Sequence, residues 1–270
     1  MKKIVSILIL AALTVLPGYA QVSGQYRPSV IDSMIIVAEK NDPNAMAHIN
    51  DRTPEYYLQM IDGVYDQLKS EYLTNQVLGF FRWPGCHDMS DYVAPYMKRI
   101  TVDSLRQKVE AALEKHKKDY GPIFPGQPAP DFTFTNAKGK VFHLSDLRGK
   151  LLFIDIWGTW CAPCIEEIPN IAKLQEKYAK DKRVHIMSIA CDKESARPKW
   201  LAFLKSHKEM NWAQYQVTTE GNKILDDVYH VFGIPRFMII GPDGIIIDAD
   251  AERPSFPSFN DYFDNIVNKL

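Results

Sequence analysis

The sequence has no excess of charge of either sign. Its 270 residues include 32 lysines and arginines and 33 aspartates and glutamates, which gives a formal net charge of −1. Long blocks of like charge, which would mark an acidic or basic tail, are also missing. Nucleic-acid-binding proteins usually carry a basic footprint. We therefore expect a globular protein that does not bind nucleic acid, and its hydrophobic content of 46% is enough to form real cores.

Cysteine is scarce, and internal repeats and low-complexity segments are absent. A chain of this length holds one or two domains, and its four cysteines are too few for a scaffold stapled by disulfides. Two of them, Cys161 and Cys164, form a C-x-x-C pair, and the other two are Cys86 and Cys191. The close spacing of the pair needs an explanation of its own.

A hydrophobic run of transmembrane length is missing as well. The apolar stretch at residues 4–16 follows Lys2 and Lys3, and small residues precede a potential cut after Ala20. This order is typical of a secretory signal peptide. The alternative is a membrane anchor, but a spanning helix needs about 20 apolar residues, and no cysteine follows for lipid attachment. We expect export, for example to a bacterial periplasm, and a mature protein that begins near Gln21 without a membrane anchor.

Prolines mark a boundary near the middle of the chain. Residues 120–130 contain four prolines and two glycines, a composition that excludes a helix or a central strand. Before this link, apolar residues at helical spacing predict helices over 56–73 and 103–118. We therefore expect a mainly helical domain over residues 21–120 and a second domain over residues 121–270.

Strands and helices alternate in the second domain. Strand-like runs lie at 132–134, 141–144, 151–157, 184–190, 237–240 and 245–248. Helical patterns lie at 162–180, 195–208, 222–231 and 259–270. The runs at 151–157 and 184–190 are almost continuously apolar, as in strands that are buried on both faces of a parallel sheet. The order predicts an α/β sheet with helices on both faces.

The C-x-x-C pair lies where α/β proteins place reactive groups. Cys161 follows the strand at 151–157 and begins the next helix, where free N–H groups and the helix dipole stabilise a thiolate. Such sites lower a cysteine pKa from ~8.5 into the range of about 3.5–7.5, and the second thiol then resolves the mixed disulfide. The alternatives are a zinc site, for which a second ligand pair is missing, and a static structural disulfide.

The residues around the pair resemble a known family. The active-site segment of thioredoxins is similar to Asp155-Ile156-Trp157-Gly158-Thr159-Trp160-Cys161-Ala162-Pro163-Cys164. The TlpA/ResA-like exported branch is similar to Pro125-Gly126-Gln127-Pro128-Ala129-Pro130-Asp131-Phe132 and Leu144-Ser145-Asp146-Leu147-Arg148-Gly149-Lys150. The resemblance covers residues 125–270. It implies a thioredoxin-like fold with a central mixed sheet and flanking helices, preceded by a smaller, mainly α-helical domain that it does not cover.

The resemblance also implies roles for single residues. Cys161 would be the attacking cysteine, Cys164 the buried resolving one, and Pro169 the proline that kinks the helix. Asp155 matches the buried aspartate of thioredoxins, and Glu167 matches a glutamate typical of the TlpA/ResA-like branch. A buried carboxylate has a raised pKa and can accept the proton of the resolving thiol, so both acids are candidate catalytic residues. The alternative for Glu167 is a solvated acid on the helix surface.

Four further residues would contact the substrate. Pro235 resembles the family's cis proline, which would face the sulfurs and leave the backbone of Ile234 free to pair with a substrate peptide. A proline that merely starts a strand is the alternative. Trp160, directly before Cys161, and Pro163, between the two cysteines, would complete the substrate-binding set.

The remaining cysteines stand outside this scheme. Cys191 ends the strand at 184–190 and is interpreted as buried and inert. Cys86 lies beside His87 and near Met89, soft ligands that would suit copper, although a loop cysteine with a chance histidine is the simpler interpretation. Whether Cys86 and Cys191 form a disulfide depends on a distance that the sequence does not give.

The sequence thus predicts an exported thiol-disulfide oxidoreductase without a cofactor or resident metal, and a disulfide reductase rather than an oxidant. Its partners would be client proteins with disulfides and a membrane or periplasmic electron donor. Two alternatives stay open. A peroxiredoxin-like peroxidase shares the link and the early strands, but Gly158 stands where its threonine would be. A redox-linked metal chaperone or binding module would use the helical domain for recognition.

Overall fold

The computed structural model describes residues 66–81 and 86–270. The predicted signal peptide, the cut after Ala20 and the first part of the helix predicted over 56–73 lie outside these residues. Within them, no helix is both long and apolar enough to cross a bilayer. The described chain divides into two compact units, the first with residues 66–81 and 89–116 and the second with residues 86–88 and 117–270.

The first unit is helical. Its helices are α1 (Asp66–Phe80), α2 (Ser90–Met97) and α3 (Asp103–Tyr120), and the last turn of α3 belongs to the second unit. Helix α3 confirms the helix predicted over 103–118. Helix α2 was not predicted, because it is only eight residues long and contains Pro95. The apolar core consists of Tyr72, Leu73, Val77, Val93, Tyr96, Ile100 and Val109.

The second unit is built on a seven-stranded mixed sheet. The strands are β1 (Thr133–Asn136), β2 (Val141–His143), β3 (Leu151–Trp157), β4 (Val184–Ala190), β5 (Ala213–Val217), β6 (Arg236–Ile240) and β7 (Ile246–Ala251). They pair in the order β2-β1-β5-β4-β3-β6-β7, with β3, β4 and β5 parallel and the other neighbours antiparallel.

Four helices flank this sheet: α4 (Ala162–Tyr178), α5 (Arg197–Ser206), α6 (Thr219–Asp227) and α7 (Phe259–Val267). Side chains of α4, α5 and α7 share one apolar core, and side chains of α6 belong to the core on the other face. Short 3-10 turns precede the sheet at Gly121–Ile123, follow β2 at Leu144–Leu147 and precede α5 at Glu194–Ala196. The predicted α/β fold with a mixed sheet and helices on both faces is confirmed.

Strand β5 was not predicted. It alternates polar and apolar residues over only five positions, and one of its two glutamines is hydrogen-bonded inside the fold. The buried amide of Gln216 donates to the backbone carbonyls of Asp192 and Lys193 at 3.0 and 2.9 Å. The next helix begins three residues before its predicted start, because the Thr218 side chain caps it by accepting the N–H of Gly221 at 3.0 Å.

Strand β3 lies near the middle of the sheet and is buried along its whole length. Its side chains alternate between the two cores: Leu151, Phe153 and Trp157 face α4 and α7, whereas Leu152, Ile154 and Ile156 face the other side. A strand that is paired on both edges and covered on both faces has a rigidly placed carboxyl end. The C-x-x-C turn follows at that end.

The pairing of β3 with β6 places a second loop at the same end. The two strands are antiparallel, and Ile156 near the end of β3 is opposite Arg236 at the start of β6. The residues immediately before Arg236 therefore lie beside the turn that follows Trp157. This register brings Ile234 and Pro235 next to the C-x-x-C segment, although Ile234 follows Cys161 by 73 residues along the chain.

Candidate active site

The C-x-x-C pair begins helix α4, as predicted. Cys161 is the N-cap residue: its sulfur accepts the backbone N–H of Cys164 at 3.3 Å. Its own N–H donates to the carbonyl of Gly158 at 3.0 Å, which closes the turn after β3. The backbone N–H groups of the first helical turn thus point toward the sulfur, where a negative charge is stabilised by the helix dipole.

Cys161 and Cys164 are joined in a disulfide, with Cα atoms 5.3 Å apart. Both residues are buried in this form, with exposed fractions of 4% and 2%. Pro163, between them, is exposed and occupies the first turn of α4, and Pro169 lies inside the same helix. In the disulfide form, access to the Cys161 sulfur therefore depends on the residues around it.

The loop before β6 forms one of these neighbours. The peptide bond between Ile234 and Pro235 is cis, which confirms that prediction. The carbonyl oxygen of Ile234 lies 3.6 Å from the sulfur of Cys161. The backbone of Ile234 is thus placed beside the reacting sulfur, where an extended peptide that carries a disulfide can lie.

Trp160 forms the exposed apolar part of the site. Its side chain is 64% exposed, although tryptophan usually buries most of its surface. A Cβ atom at Gly158 would come within 2.9 Å of the indole Nε1 of Trp160 and 3.4 Å of the Ile234 side chain. Glycine at position 158 therefore allows the indole and Ile234 to approach the backbone of the turn.

A buried carboxylate that was not predicted holds this turn. Asp192 follows β4 and accepts hydrogen bonds from both the backbone N–H and the hydroxyl of Thr159, at 2.9 and 2.5 Å. Thr159 and Asp192 are both buried. The sequence signal was the position of Asp192 after a buried strand, at the sheet edge where the C-x-x-C turn begins. Its partner could not be identified without the register between β3 and β4.

Asp155 is fully enclosed in the sheet beneath α4. It lies on the same face of β3 as Phe153 and Trp157, and its Oδ2 accepts the hydroxyl of Ser188 on β4 at 2.8 Å. Burial is the main cause that raises the pKa of Asp155 to about 7, and the nearby charge of Glu167 adds to the increase, whereas the Ser188 hydrogen bond lowers it. Asp155 therefore changes protonation near neutral pH.

Glu167 is buried as well, so the alternative of a solvated surface acid is wrong. Its carboxylate accepts the backbone N–H of Ser255 at 3.1 Å and the Ser255 hydroxyl at 2.6 Å. The neighbouring Glu166 is exposed. Ser255 lies between β7 and α7 and had no recognisable signal in the sequence. Two buried carboxylates thus lie close enough to interact, one on β3 and one on the redox helix.

The other two cysteines are free thiols, and no disulfide joins Cys86 to Cys191. Burial raises the pKa of Cys191 to about 12 and that of Cys86 to about 11, so both are protonated and unreactive at neutral pH. Cys86 lies in a bend outside the helices and strands, where it is buried, and Nη2 of Arg236 donates to its sulfur at 2.8 Å. In the described residues, no group of three or more His, Cys, Asp or Glu could hold a metal ion.

Comparison with known proteins finds similar proteins over about half of this chain. The model of the AhpC/TSA family matches residues 125–249. Thiol-disulfide oxidoreductase ResA of Bacillus cereus is 35% identical over 124 residues, which cover 46% of this chain and 67% of that protein. ResA of Bacillus subtilis (strain 168) is 30% identical over 144 residues, covering 53% and 76%. The solved thioredoxin domain of a thiol-disulfide oxidoreductase from Bacteroides vulgatus is 25% identical, with a TM-score of 0.46, and covers 53% of this chain and 98% of that one.

Proposed function

This chain belongs to the ResA-type thiol-disulfide oxidoreductases, and we propose that it reduces disulfides in exported client proteins through Cys161 and Cys164. The observation that carries the proposal is the position of Cys161. Its sulfur lies at the start of α4, bonded to Cys164 and 3.6 Å from the carbonyl oxygen of Ile234. A disulfide-bearing peptide laid along Ile234 would present its sulfur at this point.

The first step is an attack by the Cys161 thiolate on one sulfur of the client disulfide. The bond between the two client sulfurs breaks, a mixed disulfide with Cys161 forms, and the other client sulfur leaves as a thiolate. The N–H of Cys164, 3.3 Å from the attacking sulfur, and the helix dipole support the thiolate before the attack. Trp160, Pro163, Ile234 and Pro235 would form the surface that contacts the client around this bond.

The second step resolves the mixed disulfide. Cys164 must lose its proton before its sulfur attacks Cys161, and the leaving client sulfur takes the electron pair. We assign Asp155 as the base and Glu167 as the acid that modulates it, because Asp155 is buried beneath α4, Glu167 is buried on α4, and Asp155 titrates near neutral pH. A dithiol that gives away two electrons must also release two protons, and a buried base accepts one of them; the same group returns a proton in the reverse step, so the direction is set by the reduction potential of the pair.

Neither alternative function is favoured. The peroxidase would need a threonine at the position of Gly158, where a side chain would collide with Trp160. The metal-chaperone or binding-module alternative would use the helical domain for recognition, and the sulfur of Cys86, a candidate soft ligand, accepts a hydrogen bond from Arg236. The ResA relatives are named for thiol-disulfide exchange and for neither of these activities.

Export is part of the proposal. The charged start, apolar run and small residues before position 21 support a signal peptide, after which the enzyme would act in the periplasm without an anchor, recharged by a membrane or periplasmic electron donor. Thiol-disulfide exchange between these groups needs no cofactor. N-terminal sequencing of the protein in the periplasmic and cytosolic fractions tests this. A periplasmic protein that begins at Gln21 supports cleavage, and a cytosolic protein that keeps Met1 contradicts it.

The activity is tested by insulin reduction with dithiothreitol as electron source. We expect the wild-type chain to accelerate insulin precipitation, Cys161→Ala to abolish the acceleration, and Cys164→Ala to accumulate a mixed disulfide. Cys191→Ala is the matched control and should retain full activity, because its thiol is protonated and outside the pair. Absence of thiol-dependent turnover in the wild type would contradict the proposed function.

The direction of electron flow is tested separately by the reduction potential of the Cys161–Cys164 pair, measured in glutathione buffers. A potential near −270 mV, like that of thioredoxin, supports a reductase. A potential near −120 mV, like that of DsbA, would instead make the chain an oxidant of client thiols.

A further inference from the structure

Asp155 lies at the end of a line of three buried hydrogen-bonding groups. The indole N–H of Trp212 donates to the hydroxyl oxygen of Ser188 at 2.8 Å, and that hydroxyl donates to Oδ2 of Asp155, also at 2.8 Å. Ser188 is completely buried, and Trp212 and Asp155 are nearly so. Ser188 is on β4, Asp155 is on β3, and Trp212 directly precedes β5. The sheet register therefore fixes their order.

The chemistry of the three groups determines which of them donates each hydrogen bond. An indole N–H only donates, and a serine hydroxyl has one hydrogen and two lone pairs. Because Trp212 occupies one lone pair of Ser188, the hydroxyl hydrogen is left to point at Oδ2. The described residues offer this hydrogen no other acceptor. A proton on Oδ2 would therefore either take the place of the Ser188 hydrogen between the two oxygens and leave that hydrogen buried without an acceptor, or reduce its acceptor to the weaker oxygen of a carboxylic O–H, and both arrangements are costly.

The two oxygens of Asp155 are thus unequal. Oδ2 receives the Ser188 hydrogen bond, whereas Oδ1 receives no hydrogen bond from the residues that the structure describes. We propose that Ser188 and Trp212 are positioning residues that hold Oδ2 as a permanent acceptor, so that Asp155 takes up and releases its proton on Oδ1. This inference deepens the proposed function and rests on the role of Asp155 as the base for Cys164.

The proton and electron balance of the resolving step is then complete. Cys164 gives its proton to Oδ1, its sulfur forms the bond to Cys161, and the bond between Cys161 and the client breaks. The client sulfur leaves with the electron pair and is protonated by solvent, and Oδ1 returns its proton to solvent afterwards. Cys161 and Cys164 are oxidised, the client disulfide is reduced, and Ser188 keeps its hydrogen throughout.

Another charged group near Asp155 also acts on its titration. Glu167 on α4 raises the pKa of Asp155, and Cys164 is the proton donor. The Cys191 thiol after β4 feels the charge of Asp155 but is protonated at neutral pH and adds no charge of its own. Phe237, opposite Asp155 on β6, is uncharged. Removal of the Ser188 hydroxyl leaves these groups in place, so its effect on Asp155 can be separated from theirs.

Infrared difference spectroscopy tests the position of the proton. The carbonyl band of protonated Asp155 is identified by its loss in Asp155→Asn. If the proton is on Oδ1, the carbonyl oxygen is Oδ2 and its band has the lowered frequency of a hydrogen-bonded group. We expect Ser188→Ala to move the band to the frequency of a free carbonyl, Ser188→Thr to restore it, and the exposed Ser206→Ala to leave it unchanged. A free-carbonyl band in the wild type overturns the proposal, and so does a band that Ser188→Ala does not move.

The pH profile of client release from the mixed disulfide is the second readout. Loss of a hydrogen bond to the charged carboxylate should raise the apparent pKa of this step in Ser188→Ala by about one to two pH units. Trp212→Phe keeps the aromatic packing but frees the hydroxyl to rotate, so the infrared band should split into bonded and free populations. An undivided band in Trp212→Phe removes Trp212 from the proposal.

The base role of Asp155 and its positioning by Ser188 and Trp212 are contradicted by different results. An unchanged release rate and pH profile in Asp155→Asn would overturn the base role itself. A slowed release in Asp155→Asn, together with an unmoved carbonyl band in Ser188→Ala, would leave the base role intact and overturn only the positioning by Ser188 and Trp212.

Discussion

Replacement of Asp155 by asparagine should change how the stability of the oxidised chain depends on pH. The folded chain holds the Asp155 proton up to a pKa of about 7, whereas an unperturbed aspartate loses it near 3.8. Between these two values the folded state binds more protons than the unfolded state, so this group makes the free energy of unfolding fall as pH rises. Asparagine does not titrate, so the variant lacks this contribution.

The magnitude follows from the two pKa values. At 1.36 kcal/mol for each pH unit, the whole difference corresponds to about 4 kcal/mol, of which roughly 3 kcal/mol falls between pH 5 and pH 8. The uncharged amide also leaves an N–H group without an assured partner, but that cost does not depend on pH. The stability of Asp155→Asn relative to wild type should therefore improve by roughly 3 kcal/mol from pH 5 to pH 8.

Urea unfolding followed by tryptophan fluorescence measures this difference at each pH. The control is Asp261→Asn, because Asp261 is an exposed aspartate in the first turn of α7, and its curve should stay parallel to that of the wild type. Parallel curves for Asp155→Asn and wild type between pH 5 and pH 8 would refute the argument that burial holds the proton on Asp155.

Two further substitutions test the turn that carries the pair. Asp192→Ala leaves the buried N–H and hydroxyl of Thr159 without their acceptor. At about 1–3 kcal/mol for each buried donor, we expect the free energy of unfolding to fall by about 2–4 kcal/mol and insulin reduction to slow. A loss below about 0.5 kcal/mol in urea unfolding would contradict this. Gly158→Ala places a methyl group 2.9 Å from the Trp160 indole, so the indole should move. We expect a changed tryptophan emission spectrum and a lower rate of insulin reduction. An unchanged spectrum would show that the turn has room for a side chain.

The sequence predicted the elements whose signals are local. A continuous apolar run marks β3, the C-x-x-C pair marks the start of α4, and Asp155 stands out as an acid inside a buried strand. The resemblance to thioredoxins supplied the cis bond before Pro235, which no local pattern distinguishes from an ordinary proline at a strand start.

The supporting residues could not be predicted, because each depends on a partner distant in the chain. Ser188 reaches Asp155 and Asp192 reaches Thr159 across 33 residues, through the register of β3 and β4. Ser255 reaches Glu167 across 88 residues, through a loop before the last helix. A serine or an aspartate alone indicates none of these contacts, since such side chains are equally common on protein surfaces.

The contact of Arg236 with Cys86 bears on how this protein can be divided. Arg236 directly follows the cis proline, and its guanidinium also binds the carbonyl of Ala249 and the carboxylate of Asp250. Cys86 lies well before the proline-rich link in the sequence, yet it packs into the core of the sheet. The compact unit that holds the sheet is therefore discontinuous in the sequence. A fragment that starts at the link would lose the thiol that Arg236 contacts next to the cis proline, so an exchange of this unit between relatives would have to include both segments.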